Sequence, residues 1–165
     1  PTSQPSLLCR YARCSSLARC TQLWIFEGER KQWQRSRAFA PSRCHADCVR
    51  SVSWAADMGR SFQLIATGSR DRTVKLWALQ RARADEHGGG APAEPDGSGP
   101  QGGEHSSAWS APCCAELVHR SQVWRVQWNA SGSMLATSED DGSVQCFRQD
   151  ANGSWRHAEP MRFPA

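Results

Sequence analysis

The chain contains the segment Leu64–Trp77, LIATGSRDRTVKLW, and repeats its pattern 70 residues later as Met134–Phe147, MLATSEDDGSVQCF. The match extends upstream, where His45–Trp54 recurs as His119–Trp128 at an offset of 74 residues. The first copy therefore holds four extra residues, which lie inside Asp57–Phe62. Internal similarity of this kind is typical of architectures that stack one supersecondary unit on the next.

Each copy predicts three β-strands. Val49–Trp54 alternates in character, so its side chains should face opposite ways at successive positions. Leu64–Ser69 predicts a second, more continuously apolar strand, and Thr73–Leu79 a third, rich in β-branched and aromatic residues. The tight turns before the third strands hold Asp71 and Gly142, because Asp accepts hydrogen bonds from nearby backbone N–H groups and Gly tolerates positive φ. The sequence predicts an all-β fold.

These residues resemble the WD-repeat family of β-propellers. In that family a His before the first strand, a Ser or Thr on the second, an Asp in the tight turn and a Trp on the third form a buried hydrogen-bonded set. The resemblance implies such a set in the first copy: His45, Ser69, Asp71 and Trp77.

The second copy supplies counterparts of that set: His119, Thr137 and Asp141. Phe147 stands at the Trp position, where it cannot donate the indole hydrogen bond. Glu139 stands at the expected hydroxyl position, which leaves Thr137 or Ser138 as the substitute. We therefore expect an incomplete network in the second copy.

A narrower resemblance is to the last two blades of the Seh-one family of nucleoporins, which are Sec-thirteen-like propellers. It is carried by Trp54–Phe62, Ser121–Asn129 and Glu139–Gly142, and Gln22–Glu27 is similar to the strand that ends the preceding blade. The likeness covers roughly residues 21 to 160. It implies that the chain corresponds to the C-terminal part of an open, six-bladed propeller.

Length limits how many blades the chain can hold. Propellers close with about four to eight blades, whereas 165 residues at about 40 to 45 per blade supply at most about three. We therefore expect a partial WD-repeat β-propeller of about two and a half blades. The predicted units are an unassigned segment 1–20, the end of one blade at 21–40, a blade at 41–118 with a disordered insertion at 85–107, a blade at 119–160 and a tail at 161–165.

The family resemblance implies a function in assembly. It implies a non-enzymatic scaffold of the Y-shaped outer-ring complex of the nuclear pore, which supports transport of protein and mRNA. An α-helical scaffold nucleoporin would donate a blade in trans by β-augmentation, and other outer-ring nucleoporins would be neighbours. The family also serves a nutrient-signalling complex at the vacuolar or lysosomal surface, so both locations are open.

Two other classes remain open. One is the Sec-thirteen-type component of vesicle coats, and the other is a generic WD-repeat adaptor, such as a substrate receptor of a ubiquitin ligase. Met58–Phe62 and the pair Trp124-Arg125 favour the nucleoporin class over the coat component. Partner identity would separate all three.

Charge and hydropathy argue against direct nucleic-acid binding and against a membrane span. The net charge of +4 comes from 18 Arg and two Lys against 16 acidic residues, but the basic side chains are scattered and no nucleic-acid readout module accompanies them. We therefore expect solvated surfaces and no direct nucleic-acid partner. No apolar run approaches the length of a membrane span.

The eight cysteines permit disulfides or zinc as alternatives. Disulfides are not expected in an intracellular propeller. Two groups place N and S ligands close together in sequence: Cys9, Cys14 and Cys20, and Cys44, His45 and Cys48. Structural zinc requires four ligands, usually from paired cysteine units, and Cys44-x3-Cys48 has no clear second pair. We therefore expect free thiols and no metal site.

The residue types of a hydrolase triad are also present as Ser69, His45 and Asp71. A triad needs an exposed nucleophile and an oxyanion hole, whereas the buried network uses the same residue types to tie a turn to a strand. We therefore predict no catalytic residue and no cofactor.

Overall fold

The computed structural model describes residues 10–13, 19–27, 31–36, 38–57, 59–81 and 109–158. The predicted insertion at 85–107, the tail at 161–165 and most of segment 1–20 lie outside the described residues. The strands are β1 Arg10–Arg13, β2 Gln22–Glu27, β3 Gln32–Ser36, β4 Val49–Trp54, β5 Gln63–Ser69, β6 Thr73–Arg81, β7 Trp109–Ser110, β8 Cys113–Val118, β9 Val123–Trp128, β10 Met134–Glu139, β11 Val144–Gln149 and β12 Trp155–His157. A single 3₁₀ turn spans Pro41–Arg43 in this part of the chain.

The strands form three antiparallel sheets. The first sheet has the order β1-β2-β3, and the third has the order β9-β10-β11-β12. The second sheet runs β4-β5-β6 and continues to β8, while short β7 pairs with the far end of β6. The prediction of an all-β fold is confirmed, and successive antiparallel sheets of about four strands are the blades of a partial propeller.

One strand near the N-terminal end was not predicted from the sequence. Strand β1 pairs with β2, although the sequence pattern assigned no element to that segment. Across the residues that the coordinates describe, no helix has the length and apolarity needed to cross a bilayer.

The two faces of β4 contact different neighbours, as its alternation predicts. Ser51 Oγ accepts a hydrogen bond from the Val126 N–H at 3.2 Å, so this face lies against the third sheet. Val52 and Trp54 pack on the opposite side, in an apolar cluster shared with the first sheet. Successive side chains of one strand therefore hold two neighbouring sheets together.

Two apolar clusters separate the three sheets. The first–second cluster contains Leu23, Ala38, Phe39, Ile65, Trp77, Leu79 and Ala111. The second–third cluster contains Leu64, Ala66, Val74, Leu76, Leu117, Val123, Val126, Trp128, Leu135 and Phe147. Gly68 marks a close approach, since a Cβ there would lie 2.8 Å from Val123 Cγ1. The second sheet is therefore covered on both faces.

The extra residues of the first copy also contact the third sheet. Arg60 Nη2 donates to the Gly132 carbonyl at 2.9 Å. Gly132 has a φ of +62°, and a Cβ there would lie 3.0 Å from the Ala56 backbone. This loop braces the boundary between the two copies in addition to the apolar cluster.

Candidate functional site

A hydrogen-bonded network in the second sheet joins three of the four residues that the WD-repeat resemblance implied. Trp77 Nε1 donates to Thr67 Oγ1 at 2.9 Å, and Thr67 Oγ1 lies 2.8 Å from His45 Nε2. His45 Nδ1 lies 3.0 Å from Asp71 Oδ2. Because the carboxylate only accepts, Nδ1 carries the proton. In the neutral ring Nε2 then accepts from the Thr67 hydroxyl, which also lies 3.3 Å from the Lys75 carbonyl.

Asp71 connects the tight turn to the segment before β4. Its Oδ2 accepts the Ala46 N–H at 2.8 Å, and its Oδ1 accepts the Thr73 N–H at 2.9 Å and the Thr73 hydroxyl at 2.7 Å. Burial acts to raise the pKa of Asp71, but the hydrogen bonds from Thr73 and the nearby His45 outweigh it and lower the pKa. The carboxylate therefore stays ionised at neutral pH.

Burial keeps His45 neutral, against the effect of Asp71. Burial lowers the pKa of His45 from its ordinary value, and Asp71 opposes this effect only in part. Both ring nitrogens have partners inside the protein, and the residue is 3% exposed. The imidazole serves as a link between strand and turn.

Ser69 does not supply the hydroxyl of the network, and Thr67 takes that position. Ser69 Oγ donates to the Asp47 carbonyl at 3.1 Å and accepts the Asp71 N–H at 3.1 Å. The reason is register: Trp77 pairs with Ile65, so its indole reaches the diagonal neighbour Thr67. This geometry also separates Ser69 from His45, so these residues form no hydrolase triad.

The second copy contains a shorter network. His119 Nε2 lies 3.0 Å from Thr137 Oγ1, and His119 Nδ1 donates to the Leu117 carbonyl at 3.2 Å. Phe147 stacks at a tilt against the His119 ring, with 5.4 Å between ring centroids. Burial lowers the pKa of His119, against an opposing contribution from the Leu117 carbonyl. Aromatic contact here replaces the indole hydrogen bond.

Asp141 is not part of this network. It is exposed, and its Oδ1 accepts the Ser143 N–H at 2.9 Å within the turn. The buried carboxylate is that of Glu139, whose Oε2 accepts the Ser121 N–H at 3.0 Å and whose Oε1 accepts from Gln145. The Leu117 carbonyl occupies the His119 nitrogen that Asp141 would need, so Glu139 ties the turn to the preceding loop instead.

The repeat itself contained the information for both corrections. Thr67 and Thr137 are hydroxyl residues at equivalent positions, 70 residues apart, whereas the equivalent of Ser69 is Glu139. The position that keeps a hydroxyl in both copies is the one that contacts the histidine. The position that changes type carries a copy-specific tie.

Cys20 and Cys44 form a disulfide, with 5.0 Å between their Cα atoms. The prediction that disulfides are absent was wrong for this pair. The Arg19 carbonyl accepts the His45 N–H at 3.1 Å. This hydrogen bond brings together Cys20, which follows Arg19, and Cys44, which precedes His45. The disulfide takes Cys20 from one predicted group of zinc ligands and Cys44 from the other. Cys9 and Cys14 lie outside the described residues. Within the described ranges no group of three metal-ligating side chains is found.

Among the described residues, one face of the third sheet is more exposed than the equivalent face of the second sheet. We call it the open face, and its members are Met134, Ala136, Ser138, Val144 and Cys146. Their equivalents in the second sheet, 70 residues earlier, are Leu64, Ala66, Gly68, Val74 and Leu76, and these lie buried against the third sheet. Val74 is 0% exposed, whereas Val144 is 67% exposed. The open face is therefore the candidate binding surface.

The WD domain, G-beta repeat family matches residues 37–78 and 111–148, which contain the two networks. The chain carries WD40 repeats. Among curated relatives, Protein transport protein SEC13 of Cryptococcus neoformans is 30% identical over 141 residues, or 81% of this chain and 35% of that protein. Nucleoporin SEH1 of Homo sapiens is 30% identical over 111 residues, or 67% of this chain and 26% of that protein.

Protein SEH1 of Arabidopsis thaliana is 25% identical over 152 residues, or 92% of this chain and 40% of that protein. The chain thus spans between about a quarter and two fifths of the length of these relatives. Its WD40 repeats are similar to both the SEH1 and the SEC13 proteins, at 25–30% identity.

Proposed function

We propose that the chain is part of a non-enzymatic scaffold propeller in the outer-ring complex of the nuclear pore. It would support transport of protein and mRNA by holding other subunits in place. The observation that carries this proposal is the open face of the third sheet. The equivalent face of the second sheet is buried against another sheet, so the open face is suited to contact a partner. Both histidines are buried and have partners at both ring nitrogens, which fits a structural role.

The apolar positions of the open face indicate the type of partner. In the second sheet the same positions pack against the innermost strand of the next blade, through Val123, Val126 and Trp128. The open face should accept another β-blade in the same way, because it repeats the same backbone spacing. In this proposal the blade is donated in trans by an α-helical scaffold nucleoporin, and other outer-ring nucleoporins are neighbours.

The open face also restricts the sequence of that blade. Gly68 leaves room for Val123 and Val126 on the covered face, but its equivalent on the open face is Ser138. A serine adds a Cβ and a hydroxyl at a point where the covered face has no space. We therefore expect the donated strand to present a smaller residue than valine opposite Ser138.

A second candidate is the vesicle-coat function of the SEC13 type. It is favoured by the extent of the match, since the SEC13 relative aligns with 81% of this chain and the human SEH1 relative with 67%. Against it, the Arg60 loop and the Trp124-Arg125 pair resemble the nucleoporin class. Both candidates are scaffold propellers and differ in their partners.

The test is affinity purification of the gene product that contains this chain, followed by mass spectrometry of the bound proteins. The matched variants are Val144→Glu on the open face and Val118→Glu on β8 of the second sheet. Both valines are exposed, at 67% and 76%, so both variants should fold with an unchanged Tm. Val144→Glu should lose the partner, because it places a carboxylate in an apolar contact, and Val118→Glu should retain it.

The identity of the lost proteins distinguishes the candidates. Outer-ring nucleoporins that depend on Val144 would support the proposal, and nutrient-signalling subunits would add a vacuolar or lysosomal location to the scaffold function. Coat subunits would favour the second candidate. A cullin-type ligase, or a partner that both variants retain, would overturn the proposal.

A further inference from the structure

The disulfide between Cys20 and Cys44 closes a loop around one structural unit. Cys20 lies two residues before β2, and Cys44 follows the 3₁₀ turn Pro41–Arg43 and precedes His45. The loop therefore contains the whole β2–β3 hairpin, and the bond joins the residue just before the hairpin to the segment that leads into β4. Both cysteines are half-buried, so neither residue is fully shielded from solvent.

The segment between the two cysteines also contacts the second sheet without the covalent bond. Its side chains in the shared cluster are Leu23, Ile25, Ala38 and Phe39, and the Phe39 ring centroid lies 5.0 Å from that of Trp77. Backbone hydrogen bonds join Arg19 to His45 and Ala38 to Ala111. Among the described residues, no strand of the first sheet pairs with a strand of the second sheet. The disulfide therefore adds a covalent constraint, at the two ends of the segment, to an interface made mainly by side chains.

The bond also adjoins the network of the second sheet. Lys75 Nζ donates to the carbonyls of Arg43 and Cys44, each at 3.1 Å, and the residue after Cys44 is His45. Lys75 therefore holds the backbone at Cys44 against β6 of the second sheet.

We propose that Cys20 and Cys44 form a reversible redox clasp, which fixes the β2–β3 hairpin on the second sheet when oxidised and releases it when reduced. The oxidant is a small disulfide of the glutathione class. The Cys44 thiolate attacks one sulfur of that disulfide and expels one glutathione thiolate. The Cys20 thiolate then attacks the Cys44 sulfur of the mixed disulfide and expels the second glutathione.

This exchange balances in electrons and protons. The two protein thiols lose two electrons and two protons, and one glutathione disulfide becomes two glutathione molecules. Two glutathione molecules reverse the reaction by the same steps. The ratio of thiol to disulfide in the surroundings thus sets the fraction of closed clasps.

The direct test equilibrates the 165-residue chain with glutathione at a series of thiol-to-disulfide ratios, followed by acid quenching, alkylation and tryptic digestion. Cleavage after Arg19 and Arg43 yields peptides 20–30 and 44–50, which remain joined if the clasp is closed. Because the second peptide also contains Cys48, the Cys48→Ser variant identifies the sulfur involved. We expect the amount of the disulfide-linked peptide pair to rise as the thiol-to-disulfide ratio falls, both in the unmodified chain and in the Cys48→Ser variant.

The consequence for the structure is measured on the same samples. Reduction should lower Tm by on the order of 5–10 °C, because it restores the conformational freedom of the loop in the unfolded chain. Hydrogen exchange should accelerate at least about tenfold in β2 and remain constant in β10, which the clasp does not touch. The unmodified chain at two ratios provides this comparison without any substitution.

Variants connect the effect to the two sulfurs. Cys20→Ser and Cys44→Ser should each abolish the dependence of Tm and of β2 exchange on the ratio, while Cys146→Ser on the third sheet should preserve it. The proposal is overturned if peptide 20–30 is joined to Cys48, if the pair stays oxidised or reduced at every ratio, or if closing it leaves β2 exchange unchanged.

Discussion

The second and third sheets share one repeat, yet their equivalent faces lie in different environments. Val74 is 0% exposed and Val144 is 67% exposed, although each stands at the start of a strand after the same tight turn. Two covered positions differ in kind, since Gly68 and Leu76 become Ser138 and Cys146. The comparison shows that alternation assigns a residue to a face, while the neighbouring sheet decides whether that face is buried.

The hydrogen-bonded networks around His45 and His119 also differ between the two sheets. The second sheet has a chain of bonds from Trp77 through Thr67 and His45 to Asp71. The third sheet keeps the histidine–threonine contact, replaces the indole bond with a ring contact and replaces the aspartate with Glu139. One backbone plan therefore tolerates two solutions for tying the turn to the first strand.

The largest expected effect comes from placing a charge at the two equivalent valines. Val74→Glu buries a carboxylate with no partner between the second and third sheets and should lower the free energy of unfolding by at least about 4 kcal/mol. Val144→Glu should change it by less than about 0.5 kcal/mol, because the side chain reaches solvent. Urea denaturation measures both, and equal losses would contradict the assignment of the open face.

Exchanging the third-strand aromatics tests the two networks. Trp77→Phe removes the bond to Thr67 and part of a buried ring, and should cost about 2–3 kcal/mol. Phe147→Trp adds a donor beside Thr137 but crowds the cluster, so we expect a net change within about 1 kcal/mol. Thermal denaturation provides the comparison, and a smaller loss for Trp77→Phe than for Phe147→Trp would refute it.

Adding or removing a methyl group tests the close approach between the sheets. Gly68→Ala would place a Cβ 2.8 Å from Val123 Cγ1, so it should cost about 1–3 kcal/mol through overpacking. Ser138→Ala, at the equivalent position of the open face, should stay within about 0.5 kcal/mol. Chemical denaturation of both variants is sufficient, and tolerance of Gly68→Ala would mean that the two sheets lie further apart.

The smallest effect is a pH dependence that both copies share. Burial lowers the pKa of His45 and of His119 below the ordinary value of 6.5. The unfolded chain therefore binds more protons just below pH 6.5, so the stability contributed by the neutral rings is complete above that pH and is lost as pH falls towards the lower folded pKa values. The slope is at most about 1.4 kcal/mol per pH unit for each histidine.

The variants His45→Gln and His119→Gln separate the two contributions. Each should reduce the slope of unfolding free energy against pH between pH 7 and pH 5.5, and the double variant should reduce it further. A slope that neither variant alters would show that other groups cause the acid sensitivity. Denaturant titrations at four or five pH values supply the slopes.

Local patterns predicted the strands and the turns correctly. The alternation in Val49–Trp54, the apolar run of β5 and the Asp-containing turns are properties of neighbouring residues, so the three-strand plan of each copy was available from the sequence. The WD-repeat resemblance, by contrast, implied His45, Asp71 and Trp77, which the structure brings into one network. Strand β1 lacked such a pattern, and its pairing with β2 is visible only in three dimensions.

The sequence by itself determined the repeat, the all-β fold and the faces of the strands, and the WD-repeat resemblance added His45, Asp71 and Trp77. Tertiary structure showed which hydroxyl and which carboxylate each copy uses. It alone decided that Cys20 meets Cys44 and that Val144, unlike Val74, is exposed among the described residues. The physical reason is range. Strand periodicity and turn chemistry depend on adjacent residues, whereas hydrogen-bond partners, disulfides and burial depend on register and on which sheet packs against which.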